Sequence, residues 1–415
     1  MITILFGAGA SYPFYTTHLS TAYLTEQVKD KSNWRHVLRK YNENNVDGYE
    51  CPDIDEAVRI ITSPTNSKLN FEQLAEIVDK VYSVKYEISP EYNMLNRILY
   101  NIGITLNHTA EAQYIPFFFR EIIANAIIDS EQKHRVNEYK HLQKLQIDFL
   151  RMISNCDEQV SIVSLNYDDC VPKSIDVLKC YDYCFDFIPR KDYYSNMLLN
   201  VQKFFESKKV AYFPHGHLRF IFNDREDVTY ESNIFYAEEK RWDGIFNHGT
   251  CIVTNNSFCC DFNTFITTGQ TKDNALNNMP YAVYYQRLAT DFLLSNIIIL
   301  IGYSFGDHHF NRLLKGFLSK NIRNKVLVVG LYPDTLTMKN EYRDKTEFIY
   351  KIYDTFRTEW RLFCTPNGEL LPMNEAEVER INENGFGQIF DRVYLFKNGY
   401  EEFLVRKEEI LEYFI

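Results

Sequence analysis

The sequence predicts an α/β protein built on a doubly wound parallel sheet, with a large helical insertion and a small C-terminal extension. Three observations carry that expectation. Apolar runs recur at "ITILF", "VSIVSL", "KVAYF", "NIIILI" and "NKVLVV", and strands buried on both faces read as continuous aliphatic stretches rather than alternating ones. Helix-period stretches separate several of these runs, the pattern of a parallel sheet. Four of the runs break onto small or polar clusters, GAGAS, NYDD, HGH and GYSFGD; in open parallel sheets ligands bind outside the carboxyl ends of the strands.

Taken in order, residues 2–30 read as strand, glycine loop and helix. "ITILF" runs into Gly7-Ala8-Gly9-Ala10-Ser11, "YPFYTTH" is turn-rich, and "LSTAYLTEQVKDK" has helical spacing with Lys in its last turn. Residues 31–155 read as a mostly helical insertion. Within it, "NFEQLAEIVDKVY" puts Phe71, Leu74, Val78 and Val81 on one face behind an Asn70 N-cap, and "HLQKLQIDFLRMI" groups Leu142, Leu145, Phe149 and Met152. Strand signals at 160–169, 209–218, 296–307 and 324–334 complete a Rossmann-like core over about 1–30 and 156–334. The segment 335–415 reads as a mixed α/β extension that closes with a helix, "YEEFLVRKEEILEYFI".

Composition excludes several classes. Thirty Tyr and 31 Phe fill a sizeable core, so disorder is excluded. A formal charge of −11, with no Lys/Arg run longer than two, argues against nucleic-acid binding by phosphate neutralisation. "FLLSNIIILIGYSF" is too short and too interrupted to span ~30 Å of hydrocarbon, so no membrane partner is expected. A strand at residue 2 without a basic leader speaks against a signal peptide. Nine scattered cysteines, an odd count, speak against a disulfide framework. The expectation is a cytoplasmic chain. Cys180 and Cys184, the adjacent Cys259-Cys260 and the His308-His309 pair lack the paired C-x2-C spacing of a tetrahedral site, and no metal is expected.

The strand-end clusters hold the candidate chemistry. Gly7 and Gly9 admit positive φ and let backbone N–H groups approach an oxygen-rich ligand, with the following helix adding its positive end. The loop is G-x-G-x-S rather than G-x-G-x-x-G, so a nucleotide cradle and a tight turn both stand open. Asn166 carries donor and acceptor, and Asp168 can accept from a ribose hydroxyl or orient a water; an Asx-type turn is the alternative. His215, just before Gly216, is a candidate general base, with His217 beside it and a structural role as the competing reading. Asp307 is an N-cap for a helix beginning near His308, while Gly302 and Ser304 offer close backbone approach and a hydroxyl.

GAGAS, NYD, HG and GYSFGD, in this order after successive strands, resemble the SIR2-like proteins, closest to the bacterial SIR2-like NAD-consuming domains of anti-phage systems. The likeness covers roughly 1–30 and 156–334. It implies that Gly7, Ala8, Gly9 and Ser11 line the pyrophosphate of NAD, and that Asn166, Tyr167 and Asp168 lie by the nicotinamide ribose. It makes His215 the catalytic histidine and sets Gly302, Ser304, Phe305 and Asp307 along the adenosine half. Protein-deacylating sirtuins carry paired C-x2-C motifs between the histidine and the next strand; here "DFNTFITTGQTKDNALNNMP" stands in that interval, which leaves water as the acceptor. The expected activity is thus an NAD⁺ glycohydrolase acting in anti-phage defence by NAD⁺ depletion. A homo-oligomer and a HerA-like ATPase partner that gates it are expected by the same likeness. The alternatives are a non-catalytic NAD or ADP-ribose scaffold and, behind it, an NAD-dependent deacylase or ADP-ribosyltransferase.

Overall fold

β1 (Ile2–Phe6) is buried along its whole length. Ile4, Leu5 and Phe6 are completely enclosed, and each contributes roughly 1.5–3 kcal/mol by leaving water. The computed structural model describes residues 1–15, 19–44, 53–82, 115–133, 136–188, 196–222, 228–230, 280–314, 317–332, 375–390 and 392–415, with single residues 234, 352 and 355. Cys259, Cys260 and the stretch 261–279 lie outside them.

Beside β1 stand β2 (Val160–Ser164), β3 (Lys209–Tyr212), β4 (Ile297–Ile301) and β5 (Lys325–Val329), followed by β6 (Phe386–Phe390) and β7 (Val393–Phe396). Across the sheet their order is β3-β2-β1-β4-β5-β7-β6. Every neighbouring pair is parallel except β6 and β7. Ile4 lies opposite both Ile162 and Ile299, so the aliphatic runs stack in register at the centre. The chain builds outward from β1 to β3, then returns and builds the other way from β4. That reversal makes the gap between β1 and β4 the topological switch point of a doubly wound α/β sheet. The fold is the expected Rossmann-like one.

The strand-to-helix passage after β1 is tighter than the loop expected there. Gly7 caps a single helical turn, α1 (Ala8–Ser11), which continues into a 3-10 turn over Tyr12–Phe14 before α2 (Thr21–Lys29). Between α2 and β2 run α3 (Lys31–Asn44), α4 (Asp53–Ile61), α5 (Phe71–Tyr82), α6 (Ile115–Lys133) and α7 (Val136–Cys156). Most of α6 is buried, on all sides, because α2, α3, α4 and α5 pack around it. Arg120 on α6 grips Asp79 on α5 through two parallel bonds of 2.8 Å. At the start of α5, Asn70 Oδ1 accepts from the Gln73 amide at 3.0 Å and Gln73 Oε1 accepts from the Asn70 amide at 3.1 Å. This reciprocal cap confirms Asn70 as the helix start.

Beyond β2 come α8 (Cys170–Leu178), α9 (Tyr281–Leu294), α10 (His308–Leu314) and the terminal α11 (Tyr400–Phe414). The C-terminal segment joins the main sheet: β7 pairs in parallel with β5, and α11 is tied to the body where Tyr400 donates to Gln146 at 3.0 Å. Among the described residues no helix is long and apolar enough to cross a membrane.

Candidate functional site

The backbones leaving β1 and β4 cross at the switch point. The Gly7 amide donates to Ile301 O at 2.8 Å, and the Gly9 amide donates to Gly302 O at 3.0 Å. Gly302 has φ +62, and a Cβ there would sit 2.1 Å from the Ala10 nitrogen. Only a residue without a side chain fits that crossing. Tight packing therefore accounts for Gly7 and Gly9 alike, since both amides are bonded to protein and a Cβ on either would press into Gly302.

From the end of β2, Asn166 reaches across to α1. Its Nδ2 donates to Gly7 O at 2.9 Å and to Ser11 Oγ at 2.8 Å. A carbonyl can only accept, so the amide nitrogen faces Gly7 and both its protons are in use. Among the described residues no donor reaches the amide oxygen. Ser11 passes the chain on, donating to Asp168 Oδ2 at 2.7 Å. Asp168 Oδ1 accepts from the Cys170 amide at 2.9 Å, and the Tyr15 hydroxyl oxygen lies 3.2 Å from it. Burial pushes the Asp168 carboxyl up to about 6, with Glu131 and Asp169 adding like-charge repulsion against the Ser11 and Cys170 bonds that hold it down. Tyr15 donates to Glu131, which pairs with Lys173 at 2.6 Å. The residues of NYD and GAGAS thus form one directional network.

The two histidines separate cleanly. His217 is fully buried; its Nδ1 accepts from the Arg219 amide at 3.1 Å, so its Nε2 carries the proton and donates to Asp168 O at 2.8 Å. Burial drives its pKa down to about 4, which makes it a neutral structural ring. His215 faces the other way. Its Nε2 lies 3.0 Å from Asp307 Oδ2, and its ring edge meets Phe310 at 5.3 Å between centroids. Asp307 Oδ1 meanwhile accepts from the amides of His309 and Phe310, at 2.9 and 3.3 Å, and so caps α10. Fixed at both oxygens, Asp307 orients the imidazole: Nε2–H donates to the carboxylate, and Nδ1 is the basic nitrogen.

Two adjoining cavities open at these strand ends. One, of about 360 Å³, is lined by Gly7, Ala8, Asn166, Tyr167, Asp168, His215, Ser304 and Asp307 among others. The second, of about 720 Å³, takes in Ala8, Gly9, Gly302 and Ser304 together with Gly399, Tyr400 and Glu401 from the C-terminal segment. Ala8, Leu19, Thr21, Tyr303 and Ser304 border both, and each volume lies in the range of small-molecule sites, ~300–1,000 Å³.

Two candidates fall outside both walls. Ser11 is buried and bonded inside the network, where it positions Asn166 and Asp168 instead of facing a ligand. Phe305 is buried against Tyr303, with ring centroids 4.9 Å apart, in a left-handed conformation at φ +58; it shapes the turn that delivers Asp307. Sequence reasoning missed Tyr15 and Glu131 under the site and Glu72 in its wall. An Asn70 helix start was visible in the sequence, but no local pattern reports that this start faces NYD. Among the described residues no group of three or more His, Cys, Asp or Glu is placed to hold a metal ion.

Compared with known proteins, the chain matches no protein-family model and no curated protein.

Proposed function

We propose that this cleft hydrolyses the nicotinamide–ribose bond of NAD⁺, giving nicotinamide and ADP-ribose. One observation carries the reading: His215 held by Asp307 and an Asn166 amide oxygen that no donor among the described residues reaches converge on one cavity at the switch point. The resemblance of the four strand-end clusters supplies the substrate class.

The chemistry needs little from the protein. As the C1′–N bond breaks, the bonding pair goes to the pyridinium nitrogen, and nicotinamide departs neutral. The ribose carbon takes on oxocarbenium character, as in glycoside hydrolysis. Asn166 Oδ1 accepts a hydrogen bond from a water and aims its oxygen at C1′. His215 Nδ1 takes the water's proton as the new C–O bond forms, and Asp307 balances the imidazolium until that proton is released. Asp168 acts at one remove, holding Ser11 and through it the Asn166 amide. The adenosine half extends into the larger cavity beside Ala8 and Ser304.

An activity that drains NAD⁺ must be restrained at rest. By the same resemblance we assign the protein to anti-phage defence, gated by its assembly state or by a HerA-like ATPase partner. Nicotinamide release from NAD⁺ tests the chemistry. His215→Ala and Asn166→Ala are each expected to lower turnover by about 10²–10⁴-fold, and full turnover in both would overturn the assignment. Tight NAD⁺ binding without release in any assembly state would establish the scaffold reading in its place.

A further inference from the structure

Beneath the smaller cavity, a carboxylate of the helical insertion holds the turn that follows β2. Glu131 stands near the end of α6 and is 2% exposed. Its Oε1 accepts from the Tyr15 hydroxyl and from the Asp169 amide, the latter at 3.2 Å, and its Oε2 pairs with Lys173 of α8 at 2.6 Å. One side chain thus ties the turn after GAGAS, the NYDD turn and α8 to the insertion. Tyr15 and Asp169 are both buried, so each would leave a donor unsatisfied without it.

The Tyr15 oxygen also lies 3.2 Å from Asp168 Oδ1. A phenol has one proton, and that one goes to Glu131; burial and the two carboxylates beside it hold Tyr15 well above the ordinary phenol range. With no second proton the two oxygens would set lone pairs against each other. A proton on Asp168 Oδ1 makes the contact a hydrogen bond donated to Tyr15, while Oδ2 still accepts from Ser11 and Oδ1 from the Cys170 amide. The charges agree. Asp168, Asp169 and Glu131 are buried against two cations, Lys173 and Arg219, and one proton closes the difference. Asp176 shares Arg219 from the exposed rim. Burial keeps Cys170 and Tyr139 protonated and leaves His217 a neutral donor to Asp168 O. Glu72, His215, Asp307 and His309 share the cavity wall with Asp168. We propose that Tyr15 joins Asp168 and Glu131 into a bridge that holds one shared proton, and that through it Glu131 of the insertion positions the turn carrying Asn166. The effect of this positioning residue on turnover rests on the NAD⁺ reading; the shared proton does not.

A carboxyl raised to about 6 in the folded state stabilises the fold below that pH and ceases to do so as pH rises through it. Urea unfolding of wild type and Asp168→Asn, each with and without Glu131→Gln, locates that loss. Glu131→Gln keeps the shape and an oxygen for Tyr15 but removes the neighbouring charge, so the loss is expected to move from about pH 6 to about pH 5. Glu131→Leu removes the acceptor as well. Its kcat for nicotinamide release is expected to fall about 10-fold to 10²-fold, with KM within about twofold of wild type, and Glu131→Gln is expected to keep most of the wild-type kcat. Tyr15→Phe takes only the bridging hydroxyl; it is expected to lower kcat in the same direction, and it decides the matter should Glu131→Leu not fold. A loss that stays near pH 6 in Glu131→Gln would overturn the shared proton. An unchanged kcat in Glu131→Leu and Tyr15→Phe, or a KM that rises in step with the fall, would overturn the positioning role. A moved loss in a protein that never releases nicotinamide would overturn the NAD⁺ reading and leave the proton bridge standing.

Discussion

At the scale of single residues, Asp168 has the most specific consequence. Its carboxylate is almost wholly enclosed, and its pKa stands at about 6 against an ordinary 3.8. A carboxyl raised in the folded state contributes stability that is complete below the unfolded value and is lost as pH rises through the folded one. Wild type should therefore lose stability relative to Asp168→Asn as pH rises from 4 to 7, by on the order of 3 kcal/mol over the interval. Urea unfolding of both proteins at several pH values checks this, and a difference independent of pH would refute it. Asn166 and Asp168 were visible in the sequence as a polar strand end. Their connection was not: Ser11 joins them from 155 and 157 positions away, a separation that no local pattern reports.

At the scale of elements, legibility follows burial. β1, β2, β4 and β5 are runs rich in aliphatic residues with almost every residue buried, and each announces itself. β6 and β7 did not, because "FGQIF" is broken by Gly387 and Gln388 and "VYLF" is four residues long. Their place on the sheet comes from pairing with β5, a long-range contact. The helix α5 was legible in face and start, since Phe71, Leu74, Val78 and Val81 are all buried and Asn70 makes the cap. Asn70→Ala removes half of that reciprocal cap and is expected to cost about 1 kcal/mol, read as a lowered midpoint of thermal unfolding. An unchanged midpoint would mean that the start of α5 is held by packing alone.

At the scale of the whole molecule, the sheet order turns scattered motifs into a site. GAGAS, NYDD, HGH and GYSFGD are far apart in sequence, yet the order β3-β2-β1-β4 sets their strand ends side by side. The sequence showed four polar strand ends; it could not show that Asp307 from the last reaches His215 from the third, since that pairing depends on the chain crossing from β3 back to β4. The same reversal explains why Gly7, Gly9 and Gly302 must be small, because the β1 and β4 exits share the space at the switch point.

The central claim is that this cleft breaks NAD⁺ with a histidine oriented by Asp307. It is tested most directly by nicotinamide release from NAD⁺, comparing wild type with Asp307→Asn, each alone and with a HerA-like ATPase partner. The substitution keeps the side chain's shape and an oxygen for the α10 cap but removes the charge opposite His215. The expected result is release by wild type and a fall of about 10²-fold or more in the variant, with NAD⁺ still bound. Equal rates in the two proteins, or NAD⁺ bound and left whole by wild type under both conditions, would contradict it.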